Sequence, residues 1–455
     1  MDKFYAYLDA NRDRFLDELK RYCAQPSVAA QNLGMTEMAA LTKERLEARG
    51  FSVRVIPTAG QPVVYGELGA GPRTLLIYDH YDVQPPEPLE LWDSPPFTPT
   101  LSDGKLYARG VADNKGDQLC RMQAIKAWLA TQGPLPLKIK WVIEGEEEIG
   151  SPNLEAFAHE HAEMLKADGC LWEFGGKNER EQFTLTLGVK GIAYFELRLR
   201  EMEVDAHSAY AAFLPNAPWR LLWALSSLRA PDGAATESPN ITLDDYWPHV
   251  VPPSAEDLAL VDALPFESEK IKANFGVREW LFGMDDRTAS RALRFAPTLT
   301  ICGLEAGYTG AGTKTVLPKE ARVKLDFRLV PNLTPDLVYD LLRRHLDRRG
   351  FGDIEIVRLG AEHAARTQPS AAIVQAAARA ARAVYGHEPV LDPTSGGSGP
   401  MYPLCTRLGI PAVSAGTGYP GSRAHAPNEH IRLDDYWQCQ RFIGHLIEEF
   451  ARPNF

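Results

Sequence analysis

Apolar residues recur along this chain in two rhythms. They return every three to four positions over residues 2 to 22 and again over 35 to 49, where Gly50 interrupts the pattern. This spacing predicts two helices, the second capped by its glycine. Short apolar runs at Phe51 to Ile56, Val63 to Leu68 and Thr74 to Asp79 read as strands. After a proline-rich loop, a helix is expected from Lys115 to Ala130, ended by Gly133-Pro134. A strand from Lys138 to Ile143, a helix from Pro152 to Leu165 and a strand from Gly169 to Glu173 follow. Apolar strands separated by helices predict an α/β sheet covered on both faces, a class that gathers its chemistry at the C-terminal ends of strands.

The rhythm changes between Gly188 and about Arg366. Tyr194 to Leu199 and Val323 to Leu329 alternate as half-buried strands, and helices are expected at 218 to 229 and 335 to 348. That mixture predicts an α+β insert with an antiparallel sheet, solvated or helix-covered. The α/β pattern resumes with an Ala-rich helix at 371 to 385 and a short strand near Ile410 to Ser414. The expected layout is one discontinuous domain, residues 1–190 and 367–455, interrupted by a second at 191–366.

Composition narrows the function. With 455 residues, 45% apolar and 24% charged, and no Gly/Ser or Pro tract, the chain suits a folded, enzyme-sized protein. Its 60 acidic and 49 basic residues leave a formal charge of −11, which argues against a nucleic-acid partner. The densest basic run, Arg343-Arg344-His345 with Arg348-Arg349, reads as the solvent side of a helix whose Leu341, Leu342 and Leu346 face inward. Met1-Asp2-Lys3-Phe4 opens no apolar signal segment, and no stretch approaches about 20 uninterrupted apolar residues, so no membrane partner is expected. Cys23, Cys120, Cys170, Cys302, Cys405 and Cys439 are scattered without a C-x-x-C pair, which suggests buried thiols in a reducing, cytoplasmic setting.

Candidate chemistry lies where the strands end. The run Leu75-Leu76-Ile77-Tyr78-Asp79 continues into His80-Tyr81-Asp82, and the two-residue strand period sends His80 and Asp82 to one side. Asp82 can accept the second imidazole proton of His80 and raise its basicity as a metal ligand; the plain alternative is a satisfied core histidine. Gly110-Val111-Ala112-Asp113-Asn114-Lys115-Gly116 sets a carboxylate before a helix, where Asp113 can cap the helix, bridge two cations, or do both. Glu144-Gly145-Glu146-Glu147-Glu148-Ile149-Gly150-Ser151 closes a buried-looking strand with like charges, an arrangement that a cation would offset. Cys170-Leu171-Trp172-Glu173 and Arg423-Ala424-His425-Ala426-Pro427-Asn428-Glu429-His430 add further donors. Two histidines with three or four carboxylates and no cysteine suit zinc, manganese or cobalt. Two such cations about 3.5 to 4 Å apart need a bridging carboxylate, and an unliganded one nearby can move the proton. Spacing leaves open which glutamate of the triplet does which.

Four of these segments, running from His80 to Pro85, Gly110 to Gly116, Glu144 to Ser151 and Ala424 to Glu429, resemble in order the motifs of metallopeptidase family 20. That family includes carnosine and other dipeptidases, glutamate carboxypeptidase, aminoacylase, acetylornithine deacetylase and succinyl-diaminopimelate desuccinylase. The likeness spans nearly the whole chain, and the long insert makes the dipeptidase branch the nearest. It implies an α/β fold: a discontinuous di-zinc peptidase catalytic domain, with a central mixed sheet flanked by helices, and an inserted α+β lid and dimerisation domain. The implied cofactors are two divalent ions, zinc first, with manganese or cobalt as alternatives. His80 and Glu173 would hold one ion, Glu148 and His425 the other, with Asp113 between them, Glu147 as general acid/base on a metal-bridged water and Asp82 orienting His80. In the insert, Val204-Asp205-Ala206-His207-Ser208 resembles the family's Asp-x-His-Ser, whose histidine polarises the substrate carbonyl, often from the other subunit of a homodimer. Arg328 resembles the clamp for the substrate's terminal carboxylate, a task suited to a planar guanidinium. Thr315 would lie near the same group, and Gly396-Gly397-Ser398 resembles the substrate loop.

Two departures bear on the substrate. The family's dipeptidases usually carry Asp where this chain has Glu173, whereas its carboxypeptidases and deacylases often carry Glu. The loop reads Thr394-Ser395-Gly396-Gly397-Ser398 and lacks the glutamate that would partner a free substrate amine; Ala209 also follows Ser208 where glycine is usual. The first expectation is hydrolysis of dipeptides or short peptides with a free C-terminal carboxylate. The alternatives are an N-acyl-amino-acid deacylase and a non-catalytic metal-binding module.

Overall fold

The computed structural model describes residues 1–230 and 241–452. A nine-stranded mixed sheet forms its centre. Four adjacent strands, Lys138–Glu144, Thr74–His80, Gly169–Trp172 and Ala412–Ser414, run parallel. Val63–Leu68 and Ser52–Ile56 extend one edge antiparallel, and Phe183–Thr186 with Val390–Asp392 extend the other. One face packs on helices that include Lys115–Thr131, Ala372–Tyr385 and Leu433–Ala451, and the other on Leu154–Glu160 and Met401–Leu404. The parallel strands are largely apolar, with charge mainly toward their ends, because both faces are covered.

The insert builds a separate antiparallel four-stranded sheet in the order Thr298–Ala306, Glu320–Leu329, Gly191–Arg200, Glu355–Glu362. Its buried face carries Ala193, Phe195, Val323, Leu325 and Phe327 in one core with residues of the helices Ala217–Leu228 and Pro335–Arg348. Alternation in Glu320–Leu329 therefore reflects one covered face and one open face.

The sequence pattern misjudges several details. The first helix is two, Asp2–Ala10 and Arg12–Ala24, because Asn11 turns its side-chain amide back onto the Tyr7 carbonyl at 2.8 Å and ends the first. The helix expected from Pro152 breaks at His161 into Leu154–Glu160 and Ala162–Leu165. In Pro335–Arg348 the arginines lie outward as expected, but His345 is fully buried, 3.0 Å from Ser227 Oγ and accepting the Asp244 amide at 3.1 Å. The helical spacing of Tyr436, Cys439, Ile443, Leu446 and Phe450 marks a C-terminal helix, Leu433–Ala451, absent from the sequence reading. Thr298–Ala306, an edge strand exposed along much of its length, carries little alternation to find. No helix among the described residues is long and apolar enough to cross a membrane.

Candidate metal centre

Three adjacent parallel strands deliver the site. His80 ends one strand in register with Glu144 at the end of its neighbour, and Glu173 directly follows the strand on the other side. Parallel strands end together, so their terminal side chains converge. His80 is fully buried, with Nδ1 3.1 Å from the Asp82 carbonyl and 3.3 Å from its carboxylate. That pairing keeps the proton on Nδ1 and leaves Nε2 as a lone-pair donor. The Asp82 carboxylate also accepts the amides of Glu147 at 3.2 Å and Glu148 at 3.0 Å, which ties the acidic turn to the histidine strand.

Asp113 lies between the two histidines. Its Oδ1 is 3.1 Å from His80 Nε2 and its Oδ2 3.0 Å from His425 Nε2. Glu173 Oε2 stands 3.2 Å from His80 Nε2, and Glu148 Oε2 3.2 Å from His425 Nε2. Two ligands of a tetrahedral zinc, each at its usual bond length, lie about 3.3 Å apart, so each of these four spacings matches the edge of a coordination tetrahedron. Buried Glu173 Oε2 and Glu148 Oε1 have no hydrogen-bond partner among the described residues. Glu147 also lies within ligand reach, grouped with His80 and Glu148 inside 4.8 Å. Asp113 does not cap the following helix: Asn114 holds that position and makes no side-chain cap bond.

The electrostatics call for positive charge. Burial pushes the carboxyl groups of Glu147 and Glu173 well above the usual range; Glu147 adds to the rise of Glu173, and Asp113 and Glu148 to that of Glu147. His425 rises to about 10 through its bonds to Asp113 and Glu148. Burial works against a charged His80, yet Glu173, Asp113 and Asp82 outweigh it and hold that imidazole well above its ordinary value. An acid-rich pocket of this kind fits cations, which replace the protons that the carboxylates otherwise need.

Other expected residues form two further groups. Arg328 donates to Ser398 Oγ at 3.0 Å and to Asp326 at 3.2 Å, while Gly397 accepts the Lys190 amide at 2.9 Å. The exposed His207 accepts the Ala209 amide through Nδ1 at 3.0 Å and has Nε2 3.4 Å from Thr315 Oγ1.

A model of peptidase family M20/M25/M40 matches residues 76–449. The chain belongs to this family. It is a peptidase by that membership, similar to the human Beta-Ala-His dipeptidase, at 28% identity over 99% of this chain and 93% of that protein. The Cys-Gly metallodipeptidase of Schizosaccharomyces pombe is 27% identical over 99% of this chain and 98% of its own. Among solved structures, an M20 family metallo-carboxypeptidase from Sulfolobus solfataricus is 37% identical, with a TM-score of 0.90 over 96% of this chain and 99% of that one.

In this M20 chain, sequence reasoning passed over the support beneath Asp113. Glu429 is fully buried and accepts the amides of Gly110 at 2.9 Å, Ala112 at 2.8 Å and Asp113 at 3.1 Å. Arg109 pairs with it at 2.6 Å and also donates to the Pro85 carbonyl at 3.2 Å. Gln84 donates to Glu148 Oε2 at 2.9 Å. Glu429 and Gln84 lie inside the motif segments, and Arg109 directly precedes one, so adjacency to those segments was the available signal.

Proposed function

We propose that the chain is a two-metal peptidase that cuts dipeptides or short peptides bearing a free C-terminal carboxylate. The observation that carries this reading is the pair of histidine–carboxylate sets meeting at Asp113. His80 and Glu173 would hold one cation and Glu148 and His425 the other, with Asp113 placed to serve both. The Glu173 carboxylate oxygen, 3.2 Å from His80 Nε2, supports its place in the His80 set and leaves Glu147 for proton transfer. Two divalent cations, zinc by preference given the nitrogen and oxygen donors, would polarise the scissile carbonyl and acidify the attacking water. Glu147 is the group that would accept a proton from the attacking water and give one to the leaving nitrogen. Asp82 fixes the tautomer of His80, and Arg328 binds the substrate carboxylate, with Ser398, Gly397 and Thr315 beside it. His207, exposed in one chain, polarises the carbonyl in the neighbouring subunit of a homodimer formed through the insert. The six free cysteines, five of them buried, suit a reducing, cytoplasmic setting. Peptidase relatives favour this reading over deacylation of N-acyl amino acids.

Metal content and turnover measured together test it. Wild-type protein should carry two divalent ions per chain and cleave short peptides, and Glu147→Gln should keep both ions while losing turnover. Full activity in that variant, or a metal-free active enzyme, would overturn the reading.

A further inference from the structure

Arg328 is not alone on the open face of the insert's sheet. Ile192 pairs with Arg328 on one side and with Glu362 on the other. Residues paired across strands share a face, so Arg328, Ile192 and Glu362 form a row, with the two charged residues about 9.6 Å apart at Cα, twice the strand spacing. The next row along the strand, Ala193 with Phe327, is buried on the opposite face. The bond from Arg328 to Ser398 turns the open face toward the catalytic domain.

Glu362 lines a cavity of about 600 Å³ between this sheet and the turn that follows Glu148, with Ile149 and Ser151 on the facing wall. Tyr194, Leu359 and Tyr402 also line it, with His363 stacked on Tyr402 and Glu155 already paired with Arg407 at 2.8 Å. The Glu362 carboxylate is half-buried and has no hydrogen-bond or ion-pair partner among the described residues; burial pushes it up to about 7 against the field of Arg328. A half-buried carboxylate without a partner, beside apolar and aromatic side chains, suits a cation carried on a short carbon chain. The substrate loop, Thr394 to Ser398, contains no acid that could serve instead.

We propose that Glu362 and its cavity form a subsite for a cationic group of the substrate, an ammonium or guanidinium, while Arg328 holds the carboxylate. The inference rests on the peptide-hydrolysis reading above. Two sources could supply the cation: the α-amino group of a dipeptide, or a basic side chain.

Three peptides separate them on zinc-loaded enzyme: acetyl-Ala-Ala, with no cation; Ala-Ala, with a free α-amine; and acetyl-Ala-Lys, with a cationic side chain. The wild type should favour at least one cationic peptide over acetyl-Ala-Ala by about tenfold or more in kcat/KM, the size expected for a hydrogen bond to a charged group. Glu362→Gln should abolish that ratio, and Glu362→Asp should restore part of it. The peptide whose ratio collapses names the source. No cationic preference in the wild type, a preference that survives Glu362→Gln, or an equal loss on all three peptides would each overturn the subsite, the last because Glu362 would then act only through Arg328. Cleavage of none of the three by the wild type would instead sink the peptide-hydrolysis reading itself.

Discussion

The two sheets hold their candidate chemistry in opposite ways. On the central sheet, His80, Glu148 and Glu173 are gathered at strand ends, largely enclosed, and braced by partners of their own: Asp82 accepts two amides of the acidic turn, and Glu429 accepts three amides of the Asp113 loop. On the insert's sheet and its margins, Arg328 keeps a third of its side chain exposed, and the exposed His207 has Thr315 Oγ1 as a distant side-chain neighbour at 3.4 Å. On the proposed reading, groups that would meet at one cation pair are fixed before substrate arrives, and groups that would contact the substrate are left with room. His425 breaks the pattern. More than half of its side chain is exposed, yet its backbone is left-handed at φ 62°, a conformation that costs free energy and persists only where its surroundings impose it.

Experiments can sharpen or break this contrast, beginning with the largest effect. Removing metal with a chelator should reduce activity to background and lower the melting temperature, because cations that bind only the folded state stabilise it. An unchanged melting temperature would mean that the braced cluster needs no cation. Glu147→Gln should lower kcat by about 10²- to 10⁴-fold, the usual worth of a positioned proton carrier, with both ions retained by elemental measurement. Asp82→Asn and Glu429→Gln should each weaken metal binding by about 10- to 100-fold without touching a ligand, as read by competition with a chelating dye. If they leave affinity unchanged, the bracing is ornamental. Arg328→Ala should cost about tenfold or more in kcat/KM for peptides with a free carboxylate and much less for amidated ones; an equal loss on both would remove its proposed role. The smallest signal is a recovery: mixing inactive Glu147→Gln and His207→Ala subunits should restore about a quarter of wild-type activity, since half the dimers would be hybrids with one intact site. No recovery after verified subunit exchange would rule out a histidine acting in trans.

Much of the central sheet was legible, because strands covered on both faces are runs of apolar residues, and each run from Thr74, Lys138 and Gly169 is broken by charge at its end. The insert was less so. Its edge strand Thr298–Ala306 and the helix Ala255–Ala263 are only partly buried and carry a weak periodic signal, whereas the helix Asp286–Phe295 is strongly two-faced and was missed all the same. Seven residues brought forward from the motifs, His80, Asp82, Asp113, Glu147, Glu148, Glu173 and His425, lie together in one cluster. Arg109 escaped notice because a buried arginine and a surface arginine look alike in sequence.

By itself the sequence determined which residue types stand at strand ends, and that an acidic turn, a histidine strand and a late histidine loop belong to one motif order. Tertiary structure alone decided that Asp113 faces two histidines instead of capping its helix, that Glu429 reaches back from near the C-terminus to hold the Asp113 loop, and that Glu362 shares a row with Arg328. Local periodicity fixes which side of a strand a residue occupies. Distances between residues hundreds of positions apart depend on how sheets and helices pack, and no local pattern encodes them.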